Sequence, residues 1–110
     1  MPLHPSRGLA LSHMARAWRL AMWFVCYPEA GQIHRAGIRM FGAYDWYAVC
    51  RRITLRPSRN SPRTEVLLSI VKAWAMATGI GNTRMADEAD RVGRRIFGNR
   101  AWASVCYSWM

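Results

Sequence analysis

Apolar positions in the second half of the chain recur with the period of an α-helix. We predict a helix over residues 62–78, in which Val, Leu, Ile, Trp and Met occupy almost every side. Ser61 is a natural N-cap, and Pro62 suits the first helical position because it has no backbone N–H to leave unsatisfied. A helix that is apolar all round is buried, so we expect this one at the centre of the fold.

A second helix of different character is predicted over residues 84–97, after a cap at Asn82 or Thr83. It is amphipathic, and its inner face carries Met85, Ala89, Val92 and Ile96. Two acid-first pairs at i,i+4 spacing stabilise its outer face, Asp87 with Arg91 and Asp90 with Arg94. The second half of the chain therefore predicts a helical hairpin.

The first half predicts a similar pair of helices, over residues 9–27 and 29–53. One face of the second helix carries Ile33, Gly37, Met40, Phe41, Tyr44 and Tyr47. Residues 55–61 are polar and predict a linker between the two hairpins. Residues 100–110 follow a turn signal and predict a further short helix or strand.

The two halves also share sequence. Laying residues 1–54 over residues 57–110, an offset of 56 without a gap, gives fourteen identical positions, against about four expected by chance. In the first copy these include Trp18, Gly37, Phe41, Gly42, Trp46 and Cys50. We interpret the chain as two duplicated hairpins, residues 1–54 and 62–110, in an all-α, short solenoid-like or four-helix arrangement. Coincidence in an Ala- and Arg-rich composition is the alternative.

Charge adds a strong constraint to this picture. The 110 residues contain 16 Lys+Arg against 6 Asp+Glu, a formal net charge of +10, and Lys72 is the single lysine. A hydrophobic fraction of 52% with six Trp excludes a disordered basic tail, which lacks the apolar residues that offset chain ordering. We expect a folded basic protein with an acidic partner.

The first 28 residues contain arginines and serines but no acid, which is typical of a mitochondrial transit segment. A solvated basic helix is the alternative. No apolar run reaches the roughly 18 residues of a spanning helix, so we predict no transmembrane segment. The odd, widely spaced cysteines predict buried thiols in a reducing compartment: Cys26, Cys50 and Cys106.

A motif in the second copy resembles a known repeat. Ala73-Trp74-Ala75 before Gly79, followed by an acid-then-base helix, is similar to the pentatricopeptide repeat over residues 65–98. The resemblance implies organellar RNA binding, with polar side chains of the first helix facing bases. By position these are Ser69 and, in the first copy, His13. A hydroxyl satisfied within its own helix is the alternative for Ser69. The 56-residue period and the presence of two units favour a shortened relative that packs onto a larger assembly.

Arginine forks suit phosphate, and the sequence concentrates them around the linker and the end of the second hairpin. The predicted RNA contacts are Arg51, Arg52, Arg56, Arg59, Arg63, Arg94, Arg95 and Arg100. The recurring tryptophans are expected at protein interfaces: Trp18, Trp46, Trp74 and Trp102. Base stacking by Trp46, Tyr47 and Trp102 is the alternative.

No signature of catalysis is present in the sequence. The three histidines share no zinc spacing with the cysteines, and the sequence contains neither a glycine-rich phosphate loop nor a nucleophile elbow. The acids of residues 87–90 have arginine partners on their own helix and are expected to be surface pairs. We predict no catalytic residue, no metal ligand, no cofactor and no enzymatic activity.

These features together predict a small non-enzymatic subunit or accessory factor of a mitochondrial matrix ribonucleoprotein, such as the mitoribosome. Its partners are rRNA or mRNA and neighbouring protein subunits. The alternative is a supernumerary or assembly subunit of a mitochondrial protein complex without RNA. A viral or newly arisen RNA-binding protein from a GC-rich overlapping frame is a third interpretation, since arginine almost replaces lysine.

Overall fold

The computed structural model describes residues 4–24, 26–56 and 58–109, which form six α-helices. The helices are α1 (Arg7–Trp23), α2 (Tyr27–Phe41), α3 (Ala43–Arg52), α4 (Pro62–Gly79), α5 (Thr83–Phe97) and α6 (Asn99–Ser108). Residues 1–3 of the basic N-terminal segment, Val25, Pro57 of the linker and Met110 lie outside the described residues. The all-α prediction is confirmed.

Each copy contains three helices, so the expectation of two-helix units is wrong. The predicted helix over residues 29–53 divides at Gly42, which has a φ of 87° and a ψ of 153°. Gly98 adopts the same conformation between α5 and α6, with a φ of 87° and a ψ of 155°. Positive φ at this ψ is accessible essentially to glycine alone, so each glycine ends one helix and starts the next.

The helix bounds repeat at the sequence offset of 56 residues. Helices α5 and α6 begin and end at the positions equivalent to the ends of α2 and α3. Packing is reciprocal, because α1 contacts α4 and α2 contacts α5. The Cα radius of gyration is 12.5 Å, close to the ~13 Å of a compact 100-residue domain. The two copies therefore pack together as one body about an approximate two-fold axis.

Side-chain caps start three of the helices. The hydroxyl of Ser6 accepts the backbone N–H of Leu9 at 3.0 Å at the start of α1. The predicted caps of the second copy are confirmed: the Ser61 hydroxyl accepts from the N–H of Thr64 at 3.2 Å, and the Asn82 amide oxygen from that of Met85 at 3.1 Å. Local sequence thus fixes where α1, α4 and α5 begin.

The two long helices form the centre of the core, as predicted for the helix after Ser61. Helix α4 buries Val66, Ser69, Ile70, Val71, Ala73 and Ala77. Helix α1 buries Ala10, Met14, Ala15, Ala17, Leu20 and Ala21. The acid-free segment of residues 1–28 therefore contains a central helix of the fold. Cleavage after this segment would remove that helix.

The predicted inner faces of α2 and α5 are largely confirmed. Met85, Ala89 and Val92 are buried on α5, and Ile33, Gly37, Met40 and Phe41 on α2. Tyr44 and Tyr47 leave this face and are exposed, since the break at Gly42 redirects the chain. Cys50 and Cys106 are buried as expected, whereas Cys26 is exposed beside the start of α2, so the prediction of a buried thiol there is wrong.

A glycine–tryptophan contact joins the second and third helices in each copy. A Cβ added at Gly37 would overlap the ring of Trp46, and one at Gly93 would overlap that of Trp102. Both tryptophans are completely buried. The interface role expected for Trp46 and Trp102 is therefore wrong, because both rings lie in the core of their own chain.

Both buried indole N–H groups have a partner at the same position of the repeat. Trp46 Nε1 donates to His34 Nδ1 at 2.9 Å, and Trp102 Nε1 donates to Asp90 Oδ1 at 2.7 Å. Because Nδ1 of His34 accepts, its proton is assigned to Nε2, which lies 3.2 Å from the Tyr47 hydroxyl. The copies thus satisfy one geometric requirement with two different side chains.

The glycine–tryptophan contact predicts opposite effects for two glycine substitutions. Gly93→Ala forces a methyl into the Trp102 ring and should destabilise the fold by about 1–3 kcal/mol. Gly31→Ala, on the equivalent helix of the other copy, meets only ordinary contact at 3.5 Å and should stabilise by roughly 0.5–1 kcal/mol. Urea unfolding followed by circular dichroism measures both. Equal stabilities for the two variants would contradict the contact.

The thiols should differ sharply in reactivity. Burial raises the pKa of Cys50 and of Cys106 to about 11, so at neutral pH neither supplies much of the reactive thiolate. In the native protein we expect a thiol reagent to modify Cys26 alone, and all three cysteines after unfolding in urea. Mass spectrometry of the labelled peptides checks this. Three native thiols of equal rate would contradict the packing.

Candidate phosphate-binding site

The structure places all eight predicted RNA-contacting arginines on the surface. Two of them also make contacts within the chain. Arg63 lies over the Phe97 ring at 4.9 Å and donates to the Ile96 carbonyl at 3.4 Å. Arg94 pairs with Asp90 at 2.9 Å, which confirms that predicted i,i+4 pair. The remaining six extend from α3, the linker, α5 and α6: Arg51, Arg52, Arg56, Arg59, Arg95 and Arg100.

The two residues assigned to base contact by the repeat resemblance lie elsewhere. Ser69 is 2% exposed and faces the core, so its hydroxyl is not presented to a base. His13 is half-buried on α1, at the position equivalent to Ser69. Both belong to the pair of central helices, which removes Ser69 from the candidate RNA surface.

A pocket of about 270 Å³ lies where α2 meets α5. Its polar wall combines equivalent positions of the two copies: Gln32 and Glu88, Arg35 and Arg91, Arg39 and Arg95. Four guanidinium groups therefore converge on one concave site, two from each copy. Of these arginines, the sequence analysis had singled out only Arg95 as a phosphate contact.

The repeat itself distinguishes these four arginines from the other identical positions. Twelve of the fourteen identical pairs have a role inside the fold: they pack in or against the core, stack on a core phenylalanine, or adopt the positive-φ turn. The two remaining pairs are Arg35 with Arg91 and Arg39 with Arg95, and all four residues are exposed. Packing does not explain their identity, whereas a shared ligand does.

Glu88 lies at one side of this pocket and is 8% exposed. Its carboxylate accepts from Arg39 Nε of the other copy at 2.8 Å and from Arg91 Nη1 at 3.4 Å. The expected pair between Asp87 and Arg91 is therefore replaced by one between Glu88 and Arg91. The equivalent position in the first copy is Gln32, which carries no charge.

The charges lining the pocket favour an anion. Four arginines and one glutamate give a formal local charge of +3 within the pocket wall. A guanidinium presents several N–H donors in a planar fork that matches phosphate or carboxylate oxygens. Arg35 and Arg95, one from each copy, make no ion pair among the described residues. Their donors are available to a bound anion.

A second charged group of interest lies between the central helices. Burial, Lys72 and Arg16, in that order, lower the pKa of His13 below its usual value of 6.5. Arg16 in turn pairs with Glu65 of α4 at 3.2 Å. Hydrogen bonds from Ser58 and Asn60 lower the pKa of the Glu65 carboxyl. His13 is thus held neutral at a position where a proton is unfavourable.

The protein was compared with protein-family models, with curated proteins and with solved structures, and no match was found. Among the residues that the structure describes, no helix combines the length and the apolar character needed to cross a bilayer. The pentatricopeptide-repeat resemblance stays a prediction.

The lowered pKa of His13 predicts an acid-sensitive step in stability. Unfolded His13 takes up a proton near pH 6.5, and the folded residue does so only at lower pH. Stability is therefore complete above pH 6.5 and falls as the pH drops below it. We expect His13→Gln to reduce the loss of stability between about pH 7.5 and about pH 5.5. This range lies above the titration of Glu65, whose usual pKa is 4.5.

Thermal unfolding at the two pH values measures this effect. His4→Gln is the matched control, because His4 is exposed before α1 and should leave the pH dependence as in the wild type. If His13→Gln and the wild type lose equal stability on acidification, His13 is not the group responsible.

Proposed function

We propose that this protein binds RNA through its phosphate backbone, with the α2–α5 pocket as the anchor. The observation that carries the proposal is the convergence of Arg35, Arg39, Arg91 and Arg95, identical in the two copies without a role in packing. A net charge of +10 surrounds this anchor and attracts a polyanion over a longer range. The other exposed arginines are peripheral electrostatic contacts in this proposal.

RNA is chosen over DNA because of the pentatricopeptide-repeat resemblance, whose members act mostly on organellar RNA. The acid-free first 28 residues support a mitochondrial matrix setting, such as the mitoribosome or RNA processing. Because α1 supplies six buried residues to the core, we propose that this segment is retained in the working protein. The role is that of a non-enzymatic subunit or accessory factor.

A second candidate function, a subunit of a mitochondrial protein complex without RNA, is supported by an exposed apolar corner. This corner, at the end of α1 and the start of α2, consists of Met22, Trp23, Phe24 and Tyr27, of which Trp23 is 67% exposed. Two grooves of about 430 and 540 Å³ adjoin it and share Phe24 and Leu20. Exposed aromatic clusters of this kind are typical of protein interfaces.

Density-gradient sedimentation of the native protein from its own cell extract separates the two candidates. We expect migration with a heavy particle that is lost after ribonuclease treatment. A heavy position indifferent to ribonuclease would favour the protein-complex subunit.

Binding of a fluorescent single-stranded RNA tests the pocket directly. The double variant Arg35→Gln with Arg95→Gln removes two unpaired cations and leaves the ion pairs of Glu88 in place. We expect a loss of affinity and a salt slope reduced by about 0.7 for each phosphate contact removed.

The control variant Arg52→Gln with Arg59→Gln has the same net charge but changes only arginines outside the pocket. We expect it to lose clearly less affinity, because it removes only peripheral attraction. Equal losses in the two variants would show that net charge alone drives binding, and the pocket would not be the anchor.

A further inference from the structure

The carboxylate of Glu88 divides the four arginines of the pocket into two groups. It engages Arg39 and Arg91, one from each copy. Arg35 and Arg95, also one from each copy, are left without an ion-pair partner among the described residues. The pocket therefore contains one acidic group already in place and a second pair of forks that lacks one.

The two-fold relation of the copies shows where the missing acid would lie. Glu88 pairs with Arg91 three residues along its own helix and with Arg39 across the α2–α5 contact. The equivalent neighbours of Gln32 are Arg35, three residues along, and Arg95 across the contact. An anion bound between Arg35 and Arg95 would thus occupy the position that a glutamate fills in the other copy.

Charge and oxygen count favour one class of phosphate for this position. An internal phosphodiester has two free oxygens and a single negative charge. A phosphomonoester has three terminal oxygens and a charge of about −1.5 to −2 at pH 7. Because the pocket wall carries a formal charge of +3 and presents forks from two sides, the more highly charged group is matched better.

We propose that the α2–α5 pocket binds a phosphomonoester group between Arg35 and Arg95, in preference to an internal phosphodiester. The inference rests on the proposed function only in naming the terminal phosphate of an RNA as the carrier of that group. Glu88 orders Arg39 and Arg91 and repels the bound phosphate, so it limits the affinity of the site. Gln32 keeps the opposite half of the pocket open to the ligand.

Two RNA oligonucleotides of one sequence, one with a 5′-phosphate and one with a 5′-hydroxyl, test the preference. We expect the wild-type protein to bind the phosphorylated RNA at least about tenfold more tightly, as befits two added charge-assisted contacts. The variant Arg35→Gln with Arg95→Gln should bind both RNAs alike. Equal wild-type affinities would overturn the phosphomonoester proposal and leave RNA binding through the pocket intact.

A pair of reciprocal substitutions tests the site while keeping all four arginines. Gln32→Glu supplies the missing acid to Arg35 and Arg95 and should abolish the preference for the 5′-phosphate. Glu88→Gln removes the repelling charge and should increase affinity for the phosphorylated RNA. A preference that survives Gln32→Glu in a protein with native circular dichroism would overturn the proposed position of the phosphate.

The source of the phosphate is distinguished by competition. Inorganic phosphate and adenosine monophosphate are added separately to the complex with 5′-phosphorylated RNA. Displacement by adenosine monophosphate at concentrations comparable to the RNA supports the phosphomonoester site with a free nucleotide as its carrier. Displacement only at much higher concentrations supports the RNA terminus as the carrier. Failure of both competitors even at saturating concentrations would overturn a site that recognises the phosphate group itself.

Discussion

The contact between a helical glycine and a buried tryptophan determines how each half of this protein folds. Without a Cβ at Gly37 or Gly93, the backbone of the second helix lies directly against the indole ring of the third. The ring can reach that backbone only because the chain reverses at Gly42 or Gly98 in a positive-φ conformation. The contact also buries an indole N–H, which is costly unless an acceptor is present. Position 34 or 90 supplies that acceptor.

Helix positions and types were the part of the fold that local sequence could predict. Apolar periodicity and the caps at Ser61 and Asn82 gave α4 and α5 with small errors at their ends. The break at Gly42 was not predictable in the same way, since the apolar period of residues 33–47 continues through it. A glycine within a helical pattern has two outcomes, a weakened helix or a turn, and only tertiary packing selects between them. The burial of Trp46 and Trp102 follows from that turn.

The candidate site depended on information that helix prediction does not contain. The sequence indicated a phosphate-binding surface but placed it around the linker, where arginines are dense in the chain. The structure brings Arg35 and Arg39 to Arg91 and Arg95 because α2 packs against α5, a contact between residues about 50 positions apart. Local periodicity carries no signal for such a contact. The offset identities did carry one, because an arginine repeated on the exposed side of a helix has no packing reason to recur.

The duplication also explains why the pocket is asymmetric. Two copies related by an approximate two-fold axis present the same residues to a shared boundary, so four arginines at that boundary would repel one another across it. One glutamate on the axis-facing side relieves this repulsion by pairing with an arginine from each copy. A second glutamate at position 32 would satisfy the remaining two arginines and leave no forks for a ligand. The combination of Glu88 with Gln32 is therefore the arrangement in which the helices can pack together while the site still attracts an anion.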